Sequence, residues 1–143
     1  MKSKIIRGKG TYPEKLVRRI LTDQGIKYNL NVKNLPGKPD ILIKGLKKII
    51  MINGCFWHRH ACNASLIPKK NREHWTQRLQ YNQMRDFFVL TQLVLLEYDF
   101  IILWECEIRQ QSPEKLSKLL CNFISSDNKY EFINSKREEY YDK

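Results

Sequence analysis

All three histidines and two of the four cysteines of this chain lie between Cys55 and His74. The densest part reads Cys55-Phe56-Trp57-His58-Arg59-His60-Ala61-Cys62. Thiols clustered with imidazoles bind metal more readily than they form disulfides where no secretory route is evident. Zinc takes four tetrahedral nitrogen or sulfur ligands. Cys55, Cys62, one histidine of the loop and a distant cysteine would supply them. Cys106 is the better distant candidate, because Cys121 lies in an amphipathic stretch where a small thiol simply packs. A closed site uses only one of His58 and His60, which leaves the other as a candidate general base with an ordinary pKa near neutrality. His74 stands beside Trp75 and reads as a surface or phosphate-contacting group. Free buried thiols with surface imidazoles are the plainer alternative.

A second chemical feature is Asp40, which follows Pro39 and precedes Ile41-Leu42-Ile43. A carboxylate at the head of an apolar strand either caps it or binds a hard cation such as Mg²⁺. Proline–aspartate before a buried strand is also the opening of the nuclease pattern PD-(D/E)xK. The next strand, Ile49-Ile50-Met51-Ile52-Asn53, carries no (D/E)xK, so that short pattern alone decides nothing.

The partner class follows from charge. The chain has 143 residues, 26 Lys+Arg and 15 Asp+Glu, for a net charge of +11. Residues 1–79 hold 18 of the basic and 4 of the acidic residues, whereas 80–143 hold 8 and 11. A basic half on a compact domain favours a polyanion, nucleic acid above all. The length suits one domain with a real core. The longest apolar runs, 93–96 and 100–104, fall far short of the ~20 residues of a membrane span. The basic start of the chain has no apolar segment and predicts no secretory leader.

The elements that must position these groups can be read from punctuation and period. Pro13-Glu14 opens a helix whose apolar face is Leu16, Val17, Ile20 and Leu21, ending at Gly25. Residues 26–33 alternate apolar and polar, a half-buried strand. Leu35-Pro36-Gly37-Lys38 is a turn, and two strands follow over 39–44 and 47–53. The Cys/His loop spans 54–70. A helix over 72–96 is expected to face inward with Trp75, Leu79, Phe87 and Phe88. Residues 98–105 read as a buried strand, and Ser112-Pro113-Glu114 starts a last helix with Leu116, Leu119, Leu120, Phe123 and Ile124 on one face. Residues 125–143 read as a polar tail, leaving 1–124 as a single domain. The order predicts a mixed central sheet flanked by helices.

Three segments together, Leu35-Pro36-Gly37-Lys38-Pro39-Asp40-Ile41, Asn53-Gly54-Cys55-Phe56-Trp57-His58-Arg59-His60-Ala61-Cys62 and Trp104-Glu105-Cys106-Glu107, resemble the very-short-patch repair (Vsr) endonucleases. The resemblance runs from about Ile6 to Leu120, and its Gly-Cys-Phe-Trp-His block is long and chemically unusual. It implies a restriction-endonuclease-like α/β fold of the PD-(D/E)xK type with a structural zinc, and Mg²⁺-dependent nicking of duplex DNA 5′ to the thymine of a T:G mismatch. Such mismatches arise when 5-methylcytosine deaminates, so a cytosine-5 methyltransferase is the implied functional partner. The resemblance further implies a monomer acting in the bacterial cytoplasm on the nucleoid.

Carried over residue by residue, it makes Cys55, His60, Cys62 and Cys106 the zinc ligands. Asp40 and the backbone carbonyl of Ile52 become the Mg²⁺ contacts, His58 the general base, and Glu14 a supporting acid near the metal waters. Phe56, Trp57 and Trp75 become an aromatic platform against the base stack. Ile52-Asn53 stands where the best-known members have threonine–histidine, so Asn53 can hydrogen-bond a phosphate or metal water but not carry charge. The N-terminal arm is short, with Ser3 in place of a wedge methionine. The competing expectations are a nuclease of different specificity and a zinc-stabilised DNA-binding module without nicking activity.

Overall fold

A computed structural model describes residues 10–57, 60, 62, 66–126 and 130–132. Helix α1 (Tyr12–Asp23) carries Pro13 in its first turn, where a missing N–H costs nothing. Glu14 reaches back to accept from the N–H of Gly10 at 2.9 Å and from the Arg18 guanidinium at 3.2 Å, a variant of the capping box. Gly25, at φ 70°, lets the chain reverse into the sheet.

Strand β1 (Tyr28–Leu30) pairs antiparallel with β2 (Ile41–Ile43). Regular pairing is shorter than the alternation predicts because Asn31 turns left-handed at φ 48°. Beyond that kink the N–H groups of Asn31 and Val32 still donate to the carbonyls of Asp40 and Pro39, at 3.0 and 3.1 Å. Strand β3 (Lys48–Asn53) lies antiparallel to β2, and β4 (Asp99–Trp104) lies parallel to β3. A parallel neighbour requires a long crossover, and α2 (Arg72–Leu95) supplies it. Instead of continuing β4, Glu105–Gln110 forms a short helix, α3. Helix α4 (Pro113–Ser125) follows, with the Ser112 side chain accepting from the Lys115 N–H at 3.3 Å as its cap. Within the segment read as a polar tail, β5 (Tyr130–Phe132) adds a fifth strand parallel to β4. The sheet therefore extends past residue 124, in the order β1-β2-β3-β4-β5.

Strand alternation sorts the core onto two faces. Ile41, Ile43, Ile50, Ile101 and Leu103 pack with Val17, Leu21, Leu116, Leu120 and Phe123 of α1 and α4, and with Ile108 of α3. Ile49, Phe100 and Ile102 point the other way, against Leu93, Val89 and Leu90 of α2. The buried Lys48 joins the first layer to its strand: its Nζ donates to the carbonyl of Phe123 at 2.7 Å and to that of Ser126 at the α4 C-terminus. Asp99 lies 3.9 Å from the same ammonium.

Helix α2 departs from expectation. Leu79, Val89, Leu90 and Leu93 form its inward stripe, whereas Phe87 and Phe88 are 75% and 62% exposed. Residues 87 and 88 fall on the far side of a helix whose sheet-facing stripe runs through 79, 86, 90 and 93. Among the described residues, no helix is long and apolar enough to cross a membrane.

Candidate active site and metal centre

The parallel register places Asn53 of β3 beside Trp104 of β4. Cys55 and Cys106 each lie two residues beyond that pair, so the C-terminal ends of adjacent strands bring them together. The carboxyl end of a sheet is where α/β folds assemble their sites. One ligand atom from each of Cys55, His60, Cys62 and Cys106 falls within 4.8 Å of all the others. Tetrahedral zinc with bonds near 2.3 Å holds its ligand atoms roughly 3.8 Å apart, so the set fits that ion. The loop is tightened by its own backbone: the His60 N–H donates to the Cys55 carbonyl at 3.0 Å, and the Cys62 N–H to the His60 carbonyl at 2.7 Å. Of the two loop histidines, His60 stands in the cluster, with Nδ1 at 3.3 Å from the Cys106 sulfur. His58 lies outside the described residues, as does Ser3.

Electrostatics in the cluster follow from burial. Burial of Cys55 raises its thiol pKa. Burial, and then the neighbouring Cys55 thiol, push Cys106 up to about 12. A cation bound between the Cys55 and Cys106 sulfurs would offset both the burial and the repulsion that oppose their ionisation.

Asp40 stands at the head of β2. Its Oδ2 accepts from the Ile52 N–H at 2.8 Å. By strand alternation Asp40, Met51 and Asn53 share the face that α2 covers. Together they line a cleft of about 620 Å³, into which Lys33 and Lys38 come from the β1–β2 connection and Arg85 and Asp86 from α2. The cleft is shaped by Gly37. At φ 73° it takes a conformation that favours glycine, and a Cβ there would collide with the Val89 side chain of α2. Lys38 follows in the left-handed region at φ 49°.

Glu14 belongs to α1, on the opposite sheet face, and is not among the residues lining this cleft. Its carboxylate is engaged by Gly10 and Arg18.

The three aromatics do assemble. Phe56 lies edge-on to Trp57 and Trp75, with centroids 5.1 and 5.5 Å apart, and the two indoles are 6.1 Å apart. All three are half-buried, and the Arg78 guanidinium lies over both indoles at 5.2 and 5.9 Å. His74 packs edge-on to Trp75 at 5.9 Å. Asn82 of α2 donates to the Trp57 carbonyl at 3.5 Å.

Sequence reasoning did not single out Lys33, Lys38, Arg78, Arg85, Asp86 or Glu107. Lys38 adjoins Pro39-Asp40, and Glu107 adjoins Cys106, so each had a neighbour to mark it. Arg85 and Asp86 reach the cleft only through the crossover and carry no local signal.

A mixed sheet with its acid at one strand head and a cysteine–histidine cluster beside it defines a restriction-endonuclease-like domain. A sequence model described as DNA mismatch endonuclease Vsr matches residues 1–64. The type II nicking enzyme V.NmeAIP of Neisseria meningitidis is 39% identical over 117 residues, covering 80% of this chain and 84% of its own. The type II nicking enzyme V.XorIIP of Xanthomonas oryzae is 34% identical over 103 residues, 72% and 76% of the two chains. The DNA mismatch endonuclease Vsr of Escherichia coli is 32% identical over 115 residues, 76% and 74%. The chain belongs to the Vsr family of DNA mismatch endonucleases.

Proposed function

We propose that this chain nicks duplex DNA on the 5′ side of the thymine of a T:G mismatch by Mg²⁺-dependent phosphodiester hydrolysis, so opening very short patch repair. The observation that carries the reading is the Asp40 carboxylate, held on the Ile52 N–H at 2.8 Å within the basic cleft. In a strand the N–H and carbonyl of one residue point to the same neighbour. The Ile52 carbonyl is therefore turned toward the same strand as Asp40, as a shared cation site requires. A carboxylate oxygen keeps lone pairs after one hydrogen bond. Mg²⁺ bound there would neutralise charge developing on a phosphate and ready a water for attack.

The chain's own groups take the remaining tasks. Lys33, Lys38 and Arg85 hold the DNA backbone against Asp40, and Asn53 orients a phosphate oxygen or a metal water. His58 serves as the general base. Phe56, Trp57 and Trp75 meet the base stack, where unstacking is cheapest at a mismatch. Arg78 favours a rigid platform by lying over both indoles. Zinc held by Cys55, His60, Cys62 and Cys106 fixes the loop that presents Phe56 and Trp57. The endonuclease domain, whose sheet runs on to β5, acts as a monomer in the bacterial cytoplasm. A cytosine-5 methyltransferase is the source of its lesions.

The test is a strand-labelled nicking assay on T:G-mismatched and matched duplexes across varied flanking sequence, with Mg²⁺ or EDTA, and with Asp40→Ala as control. Mg²⁺-dependent cutting beside the thymine of mismatched duplexes alone is expected. Equal cutting of matched duplexes would make it a nicking enzyme of other specificity. Binding without cutting would make it a DNA-binding relative.

A further inference from the structure

We propose that Glu107 is a positioning residue for the metal centre: its carboxylate holds His60 in the Nε2–H tautomer and so presents Nδ1 to the ion. The inference rests on reading the Cys/His cluster as a zinc site. Four observations converge on it. Nδ1 of His60 is the ring nitrogen that faces the sulfurs, at 3.3 Å from Cys106. Nε2 faces the opposite way, toward Oε1 of Glu107 at 4.0 Å. The Trp104 ring stacks on the imidazole at 4.3 Å and 14°, which fixes the ring plane and leaves only its edge orientation to be set. Glu107 is itself 3% exposed, and acidic side chains are almost never so buried unless paired.

The chemistry then runs one way. A metal ligand nitrogen must offer its lone pair, so the neutral ring carries its proton on the other nitrogen. Metal-bound histidines regularly direct that second N–H at a carboxylate or carbonyl, which orients the ring and makes the ligand nitrogen more basic. At 4.0 Å the Glu107 contact is one of charge and direction, outside hydrogen-bond range. The rival account is that Glu107, in the first turn of α3, merely complements the helix N-terminus. Glu105 occupies the same turn and serves as the control.

The experiment compares the parent chain with Glu107→Gln and Glu105→Gln. Zinc affinity is read by chelator competition, and the histidine tautomer of the zinc-loaded parent by ¹⁵N NMR. Zinc should be held through Nδ1 of His60, and Glu107→Gln should weaken zinc binding about 10- to 100-fold, with Glu105→Gln within a factor of two. Equal zinc affinity in a folded Glu107→Gln protein, or equal losses in both variants, would overturn the assignment. So would metal on Nε2 in the parent, a readout that does not depend on any variant folding. If the parent fails to bind zinc at all, the metal reading itself falls, which distinguishes that failure from this one.

Discussion

Asp40 shows how a single side chain can be ambiguous in sequence and specific in space. As a residue before an apolar strand it reads first as a cap and only second as a cation ligand. Its reach to the Ile52 N–H comes from the pairing of β2 with β3, which places Ile41 beside Ile50 and so carries Asp40 alongside Met51, next to Ile52. Asp40→Ala is expected to reduce nicking by a factor on the order of 10³, the size of losing a metal's charge stabilisation, while duplex binding in a gel-shift assay stays within a few-fold. Unchanged nicking would remove Asp40 from the chemistry. Cysteine ionisation gives a second prediction. In the metal-free protein Cys106 is pushed up to about 12 from the ordinary 9.0, and Cys55 is raised too, so the folded state holds these protons more tightly than the unfolded chain does. That contribution is complete below pH 9 and is lost as pH rises toward 12. Urea melts of metal-free protein should therefore show a midpoint falling across that window, and a flat midpoint would contradict the burial of these thiols. The ligand residues themselves were readable because Cys, His and their crowding are rare. Arg85 and Asp86 were not, since acids and arginines are common and only the crossover brings these two to the cleft.

Elements were read best where period and punctuation agree. Pro13, Ser112 and Pro113 marked the starts of α1 and α4, and both helices bury the faces their spacing predicts. The strand read as running to Glu105 stops at Trp104, because aromatic and β-branched content does not mark where it yields to the short helix α3. Phe87 and Phe88 were misassigned because hydrophobicity alone does not say which side of a 24-residue helix meets the sheet. The turn before β2 offers a sharper test. Gly37→Ala would place a methyl against Val89 in a backbone conformation alanine resists. The expected loss is about 1–3 kcal/mol, measured by denaturant unfolding, with nicking weakened at temperatures where the fold survives. A variant as stable as the parent would show that the turn does not press on α2.

Taken together, the molecule divides its labour across the sheet. One face, under α1, α3 and α4, carries most of the buried apolar side chains. The other, under α2, carries a smaller cluster and the cleft. The mixed sheet and flanking helices followed from element order, but β5 did not, because a three-residue strand in a polar segment leaves no periodic trace. Charge was equally plain in composition, and it carries a prediction. Duplex affinity should fall steeply with salt, and removing Lys33, Lys38 or Arg85 singly should flatten the log–log slope by about one per lost phosphate contact; unchanged slopes would place the DNA elsewhere. Stripping zinc with a chelator should lower the melting temperature and Cys62→Ala should reproduce that loss, whereas a metal-free protein melting like the parent would refute a structural ion. The crossover has a further consequence for biosynthesis. All of α2 and β4 separate Cys62 from Cys106, so on a ribosome adding ~5–20 residues per second three ligands emerge seconds before the fourth. An ion captured early would sit in an incomplete cage until the long crossover has delivered Cys106, while α4 and β5 are still to take their places.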